Sequence, residues 1–223
     1  KPRCMGMLYW QINDTWPVAS WSSLDYGGQW KLLHYLAKRF FAPINIVAVP
    51  EGDDIVIRGM NDGPAPAEIT LDVFAVDMEG TAKLLHRLEV SLGLESASEL
   101  VRVAREAVAD GQFLMLEWRD GDGMPIGGND FFPRAHKYYA LPAATVSATW
   151  AQGKNGPELT LQSDSCAFFV TAQVEPAGYF SDNCFTLLPG RPATLSFSPR
   201  RGAAPGLDDL QNSLRISHLA ETY

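Results

Sequence analysis

The feature that most narrows the fold is a succession of short β-branched segments separated by residues that favour turns. Ile44–Val49, Asp54–Arg58 and Ile69–Val76 are rich in Ile and Val, and Glu51-Gly52-Asp53 and Asn61-Asp62-Gly63-Pro64 punctuate them. Glu79-Gly80 and the glycine cluster Gly121–Gly128 supply further turns. Short strands bounded in this way predict an antiparallel sandwich. The style resumes in Ala144–Trp150, Glu158–Leu161, Ala167–Val174, Ala193–Phe197 and Leu214–Leu219, which predicts a second sandwich after the boundary Ala140-Leu141-Pro142. The expected divisions are 43–141 and 142–223, with no internal repeat linking them. Ser98–Ala109 reads as helix by propensity and as strand by its surroundings.

Residues 1–42 follow another pattern and hold four of the six tryptophans. Met5–Ile12 is a nearly continuous apolar run, as expected of a parallel strand buried on both faces. A polar and aromatic loop follows, Gln11-Ile12-Asn13-Asp14-Thr15-Trp16-Pro17. From Gln29 the period becomes helical, with Trp30, Leu33, Ala37 and Phe40 or Phe41 on one face, and Pro43 ends the run. The abrupt entry into apolar residues, with only Lys1 and Arg3 to solubilise it, suggests a segment that starts inside a larger protein.

Composition excludes several classes of function. At 223 residues, with 46% apolar and 11% aromatic content, the chain can bury one large core or two ordinary ones. A formal charge of −8 argues against nucleic acid as a partner, since phosphates need a clustered basic face. No apolar run approaches the roughly 20 residues that span a bilayer, so no membrane partner is expected. Cys4, Cys166 and Cys184 cannot all pair with one another, and their spacing fits no zinc site. Buried thiols are the simpler reading. Cys166 and Cys184 are also too close in sequence for an immunoglobulin-type bridge.

Met7-Leu8-Tyr9-Trp10-Gln11-Ile12-Asn13-Asp14-Thr15-Trp16-Pro17, continuing through Ser20–Tyr26 to Trp30-Lys31 and Lys38–Pro43, resembles the end of the catalytic domain of glycoside hydrolase family 2 β-mannosidases. Gly178-Tyr179-Phe180-Ser181-Asp182-Asn183 is similar to a segment in the last module of those enzymes. The resemblance implies a mainly β chain. Its residues 1–42 would be the last strand and helix of a (β/α)8 barrel, followed by two immunoglobulin-like antiparallel β-sandwich domains. It also implies that the parent hydrolyses non-reducing terminal β-mannose with retention, and that the rest of the barrel and a mannose-containing oligosaccharide are the partners.

Retaining glycosidases use two carboxylates on the barrel rim, and the resemblance places both on earlier strands. No catalytic residue, metal ligand or cofactor is therefore expected here. Barrel sites form at the carboxyl ends of strands, which makes Asn13, Asp14 and Trp16 the candidate substrate-binding residues. Trp16 suits sugar stacking or packing between strand, loop and helix; Asp14 suits a substrate hydroxyl or a cap on its own loop. Trp10 and Trp30 are expected in the core. Asp120–Gly128 lacks the lysine of a phosphate loop and the acidic spacing of a calcium loop, and reads as a hairpin turn. A rival function, carbohydrate binding by the last sandwich, would use Trp150, Tyr179 and Phe180 as an aromatic platform.

Overall fold

A computed structural model describes residues 6–203 and 205–222. The chain divides into two compact units, one built mainly from Lys38–Ala140 and the other from Leu8–Ala37 together with Leu141–Tyr223.

The Lys38–Ala140 unit is a seven-stranded antiparallel sandwich. One sheet pairs β1 (Ile44–Glu51), β2 (Asp54–Asn61) and β5 (Ser96–Ala104) in that order. The other runs β4 (Ala82–Leu92), β3 (Ala67–Val76), β6 (Phe113–Asp120), β7 (Pro125–Phe131). Alternate residues of each central strand face inward, so Ile55, Ile57, Leu71, Val73, Leu114, Leu116 and Trp118 share one core. Ser98–Ala109 divides: its first part completes β5 and Arg105–Ala107 is a 3-10 turn. The glycine run is a hairpin turn whose Asp120 carboxylate accepts the backbone N–H groups of Asp122 at 3.0 Å and Met124 at 2.9 Å. Gly127 lies opposite Trp118 in the ladder, and any Cβ at that position would collide with the indole.

On β3, Asp72 is buried although it points away from that core. Arg87 of β4 grips it with two nitrogens and Arg119 of β6 donates at 2.7 Å, so three adjacent strands are tied through one carboxylate. The Arg87 hydrogen bonds, outweighing burial, hold the Asp72 carboxyl below the usual range.

The second unit contains another sandwich, with β11 (Gly178–Phe180), β13 (Ala193–Pro199), β9 (Gly156–Ser163) and β8 (Val146–Gly153) in one sheet. Facing it are β12 (Phe185–Leu187), β10 (Ala167–Gln173) and β14 (Arg215–Ser217). Leu159, Leu161, Val170, Phe180, Leu195 and Phe197 form the core, closed by Leu210 of α2 (Leu207–Ser213). α1 (Leu32–Phe40) carries the helical face read from the sequence, with Tyr35 and Ala37 buried. Cys166 and Cys184 are buried thiols not joined by a disulfide; Cys4 lies outside the described residues.

The segment before α1 departs from expectation. Met5 lies outside the described residues, and residues 6–12 form no strand. The side chains of Leu8, Trp10 and Ile12 are exposed, Trp10 at 74% against the core position expected for it. A parallel strand draws its hydrogen bonds from flanking strands, and an apolar run alone cannot close that ladder. Within this chain the barrel βα unit is therefore not evident, and the architecture is mainly antiparallel β.

Candidate functional site

The candidate residues lie on a tightly wound loop between Tyr9 and Lys31. Its two limbs run side by side. Ser23 N–H donates to Gln11 O at 3.1 Å, Leu24 N–H to Ile12 O at 2.8 Å, and Asp14 N–H to Leu24 O at 3.1 Å. Isolated bridges from Asn13 to Leu24 and from Leu24 to Trp30 bring a third limb alongside. Serines fill the narrow gap because their short hydroxyls can reach backbone carbonyls. Ser22 Oγ donates to Leu24 O at 2.7 Å and Ser23 Oγ to Ile12 O at 3.0 Å. The Ser23 hydroxyl also shares hydrogen bonds with Tyr9 OH at 2.9 Å and His34 Nδ1 at 3.0 Å. Burial pushes the His34 pKa down, favouring the neutral ring.

Asp14 sits beneath this loop. Its side chain is fully covered, one oxygen accepting the Ser20 hydroxyl and the other Lys31 Nζ at 2.9 Å. Lys31 Nζ also donates to Ser22 Oγ at 2.7 Å and Ser20 O at 3.3 Å, which occupies all three ammonium protons. The Ser20 hydrogen bond and the Lys31 ammonium hold the Asp14 carboxyl below its ordinary value. Asn13 is exposed, and its amide donates to Asp14 O at 3.1 Å. Trp16 stands at the outer turn with 63% of its surface exposed, and Trp21 is similarly open at 67%. The three candidates thus belong to one loop, two facing outward and the carboxylate facing inward.

The two segments that carry the sequence resemblance meet in this unit. Gly178–Phe180 is the edge strand β11, and the outward groups of Gly178 and Phe180 need partners from elsewhere. Gln29 Nε2 donates to Gly178 O at 2.8 Å, and Phe180 N–H donates to Tyr35 OH at 3.2 Å. Burial raises the Tyr35 pKa, so the phenol stays protonated. Trp30 stacks on Tyr179 with centroids 4.4 Å apart and rings 7° from parallel. Asn183, buried, accepts Ala172 N–H at 2.9 Å and Cys184 N–H at 3.1 Å while donating to Ala172 O at 2.8 Å. The roles of Gln29 and Tyr35 had no signal in the sequence, because each depends on a backbone group about 150 residues away; Asn183 stood in the Gly178–Asn183 segment, but its hydrogen bonds to Ala172 had no local signal.

The geometry does not make the aromatic platform of the rival reading. Phe180 is 3% exposed and packs with Trp150 and Phe197, while Tyr179, on the opposite side of the strand, is covered on one ring face by Trp30. Among the described residues no group of His, Cys, Asp and Glu is placed to hold a metal.

The fold and the docked loop define an immunoglobulin-type sandwich module bearing a tryptophan-rich loop–helix segment. Residues 141–222 match the mannosidase Ig-fold domain family. Over its full length the chain is 32% identical to a β-mannosidase of Capra hircus and 30% identical to one of Bos taurus, and it spans 26% of each. A crystal structure of a β-D-mannosidase from Dictyoglomus thermophilum superposes with a TM-score of 0.81 over 94% of this chain and 25% of that one, at 23% identity. An exo-chitosanase from Amycolatopsis orientalis has the same fold at a TM-score of 0.66 and 20% identity, over 94% of this chain and 29% of that one. The chain is thus similar to β-mannosidases along its whole length and spans about a quarter of the length of the relatives it matches.

Proposed function

We propose that this chain is the non-catalytic C-terminal part of a retaining exo-β-mannosidase that removes non-reducing terminal β-D-mannose from oligosaccharides. The observation that carries the reading is the identity with β-mannosidases along the whole chain. In this reading residues 1–42 supply the last strand and helix of the (β/α)8 barrel, and 43–141 and 142–223 are the two sandwich domains that buttress it. The exposed faces of Trp10, Trp16 and Trp21 support it, since indoles bury much apolar area when a neighbour or a sugar covers them. The rest of the parent barrel covers part of that surface. Asn13 and Trp16 meet the oligosaccharide at the rim, where Trp16 stacks on the C–H face of a pyranose, and Asp14 acts by holding the loop from below. The acid/base and nucleophile, roughly 5 Å apart in a retaining enzyme, come from earlier strands of the parent.

The test is hydrolysis of p-nitrophenyl β-D-mannoside. The purified chain releases no p-nitrophenol, whereas a longer protein that includes a complete barrel releases β-mannose, followed by proton NMR of the first-formed anomer. Release by the chain alone, or a longer protein inactive on β-mannosides, overturns the reading.

A further inference from the structure

We propose that Tyr179, in the last sandwich, is a positioning residue for the Asp14–Ser22 loop, acting through Trp30 and Lys31. The Trp30 indole is held by three rings at once: Tyr179 face to face at 4.4 Å, Tyr35 edge-on at 5.2 Å and His34 tilted at 4.6 Å. Only Tyr179 lies outside the loop–helix segment. The backbone next to that indole is already committed, because Trp30 is bridged to Leu24 and Lys31 N–H donates to Ser23 O at 2.9 Å. One residue further, Lys31 Nζ reaches Asp14, Ser22 and Ser20. A change in the seat of Trp30 is therefore passed through a single peptide to the cation that neutralises a buried carboxylate.

The same sandwich edge restrains the segment on either side of the indole. Gln29 is bonded to Gly178 O, and Phe180 N–H to Tyr35. Gly28 has φ +81, and a Cβ there would come within 3.3 Å of the Arg200 guanidinium, so the turn before Trp30 is also seated against the residue that follows β13. The loop carrying Asn13 and Trp16 owes its shape to a strand about 150 residues away in sequence, as the separation of 149 between Gln29 and Gly178 records. That this loop meets sugar rests on the proposed β-mannosidase reading; that Tyr179 holds it does not.

The test compares Tyr179→Ala, Tyr179→Phe and, as a control on the far edge strand, Thr149→Ala, all in the full chain. Amide hydrogen exchange is followed at Asp14 and Leu24, whose N–H groups bind the loop limbs, and at Leu161 and Val170 in the core. In Tyr179→Ala the loop amides exchange about five- to tenfold faster, the scale of one lost aromatic stack, with the core amides unchanged. Tyr179→Phe, which keeps the ring, restores protection, and Thr149→Ala leaves it intact. Loop amides unaffected by Tyr179→Ala, or accelerated only in step with the core, overturn the proposal. No sugar enters this measurement, so its failure is distinct from failure of the mannoside assay.

Discussion

The Tyr35 hydroxyl accepts the backbone N–H of Phe180 at 3.2 Å, joining α1 to the edge strand β11 across 145 residues of sequence. An edge strand presents unpaired backbone groups that invite association with another chain. Here a phenol and a carboxamide from the loop–helix segment occupy two of them. Tyr35→Phe keeps the ring and removes the hydroxyl, leaving the buried Phe180 N–H unpaired and ending a contact with the Asn183 side chain. The expected cost is about 1–2 kcal/mol, read from urea unfolding as a lower midpoint with an unchanged m-value.

Asn183 serves three backbone groups with one carboxamide. Asn183→Ala is expected to destabilise its unit by about 3 kcal/mol, since Ala172 loses partners for both its N–H and C=O and Cys184 N–H loses one. Asn183→Asp keeps the acceptor but aims a carboxylate at Ala172 O. Burial and the facing Ala172 O are expected to raise its folded-state pKa against the two N–H groups it accepts. Stability is then greatest below pH ~4, where the protonated acid can donate, and falls as pH rises. Thermal melts at pH 4 and pH 7 check the sign.

Asp72 gives the other unit a different pH signature. Its folded pKa is depressed by Arg87 first and then by Arg119. The stabilisation is therefore fully present above the unfolded value near ~3.9 and is lost as pH falls through the lower folded value. Asp72→Asn is expected to cost about 2 kcal/mol at pH 7, below the ~3–5 kcal/mol of a fully buried broken pair because Arg87 remains largely in water. The gap between variant and parent should begin to narrow below pH ~4 and close only below the depressed folded value, as measured by denaturant midpoints across pH.

Lys31→Met leaves the Asp14 carboxylate buried without its cation, and the expected outcome is a loosened loop rather than an unfolded sandwich. Limited proteolysis should then cut within 14–22 while the strands of the same unit resist. In the parent chain the Asp14 pKa is lowered, so the loop keeps its order above the unfolded carboxylate value and loses it as pH falls through the folded one. Tryptophan fluorescence between pH 6 and pH 2 should show that transition in the parent chain and lose it in Asp14→Asn.

Much of the β architecture was written locally. β1, β2, β3, β9, β10 and β13 are β-branched or aromatic runs flanked by turn residues, and their side-chain alternation is set by the chain itself. α1 was equally legible from its 3.6-residue period, and the glycine run from its turn chemistry. α2 was not, because seven residues with one buried leucine carry too little periodicity to stand out. Nor was β4, whose charged residues pair across strands instead of marking a surface helix or loop.

The sequence by itself determined the strand content, the hairpin at Asp120–Gly128, the helix before Pro43 and the small set Asn13, Asp14 and Trp16 on one loop. Only the tertiary structure decided that Asp14 faces inward to Lys31, that Trp10 is exposed rather than core, and that Tyr35 and Asn183 carry structural hydrogen bonds. The physical reason is range. Periodicity and turn propensity act over a few residues, whereas a buried carboxylate, an exposed indole or a capped strand edge depends on which distant backbone arrives beside it.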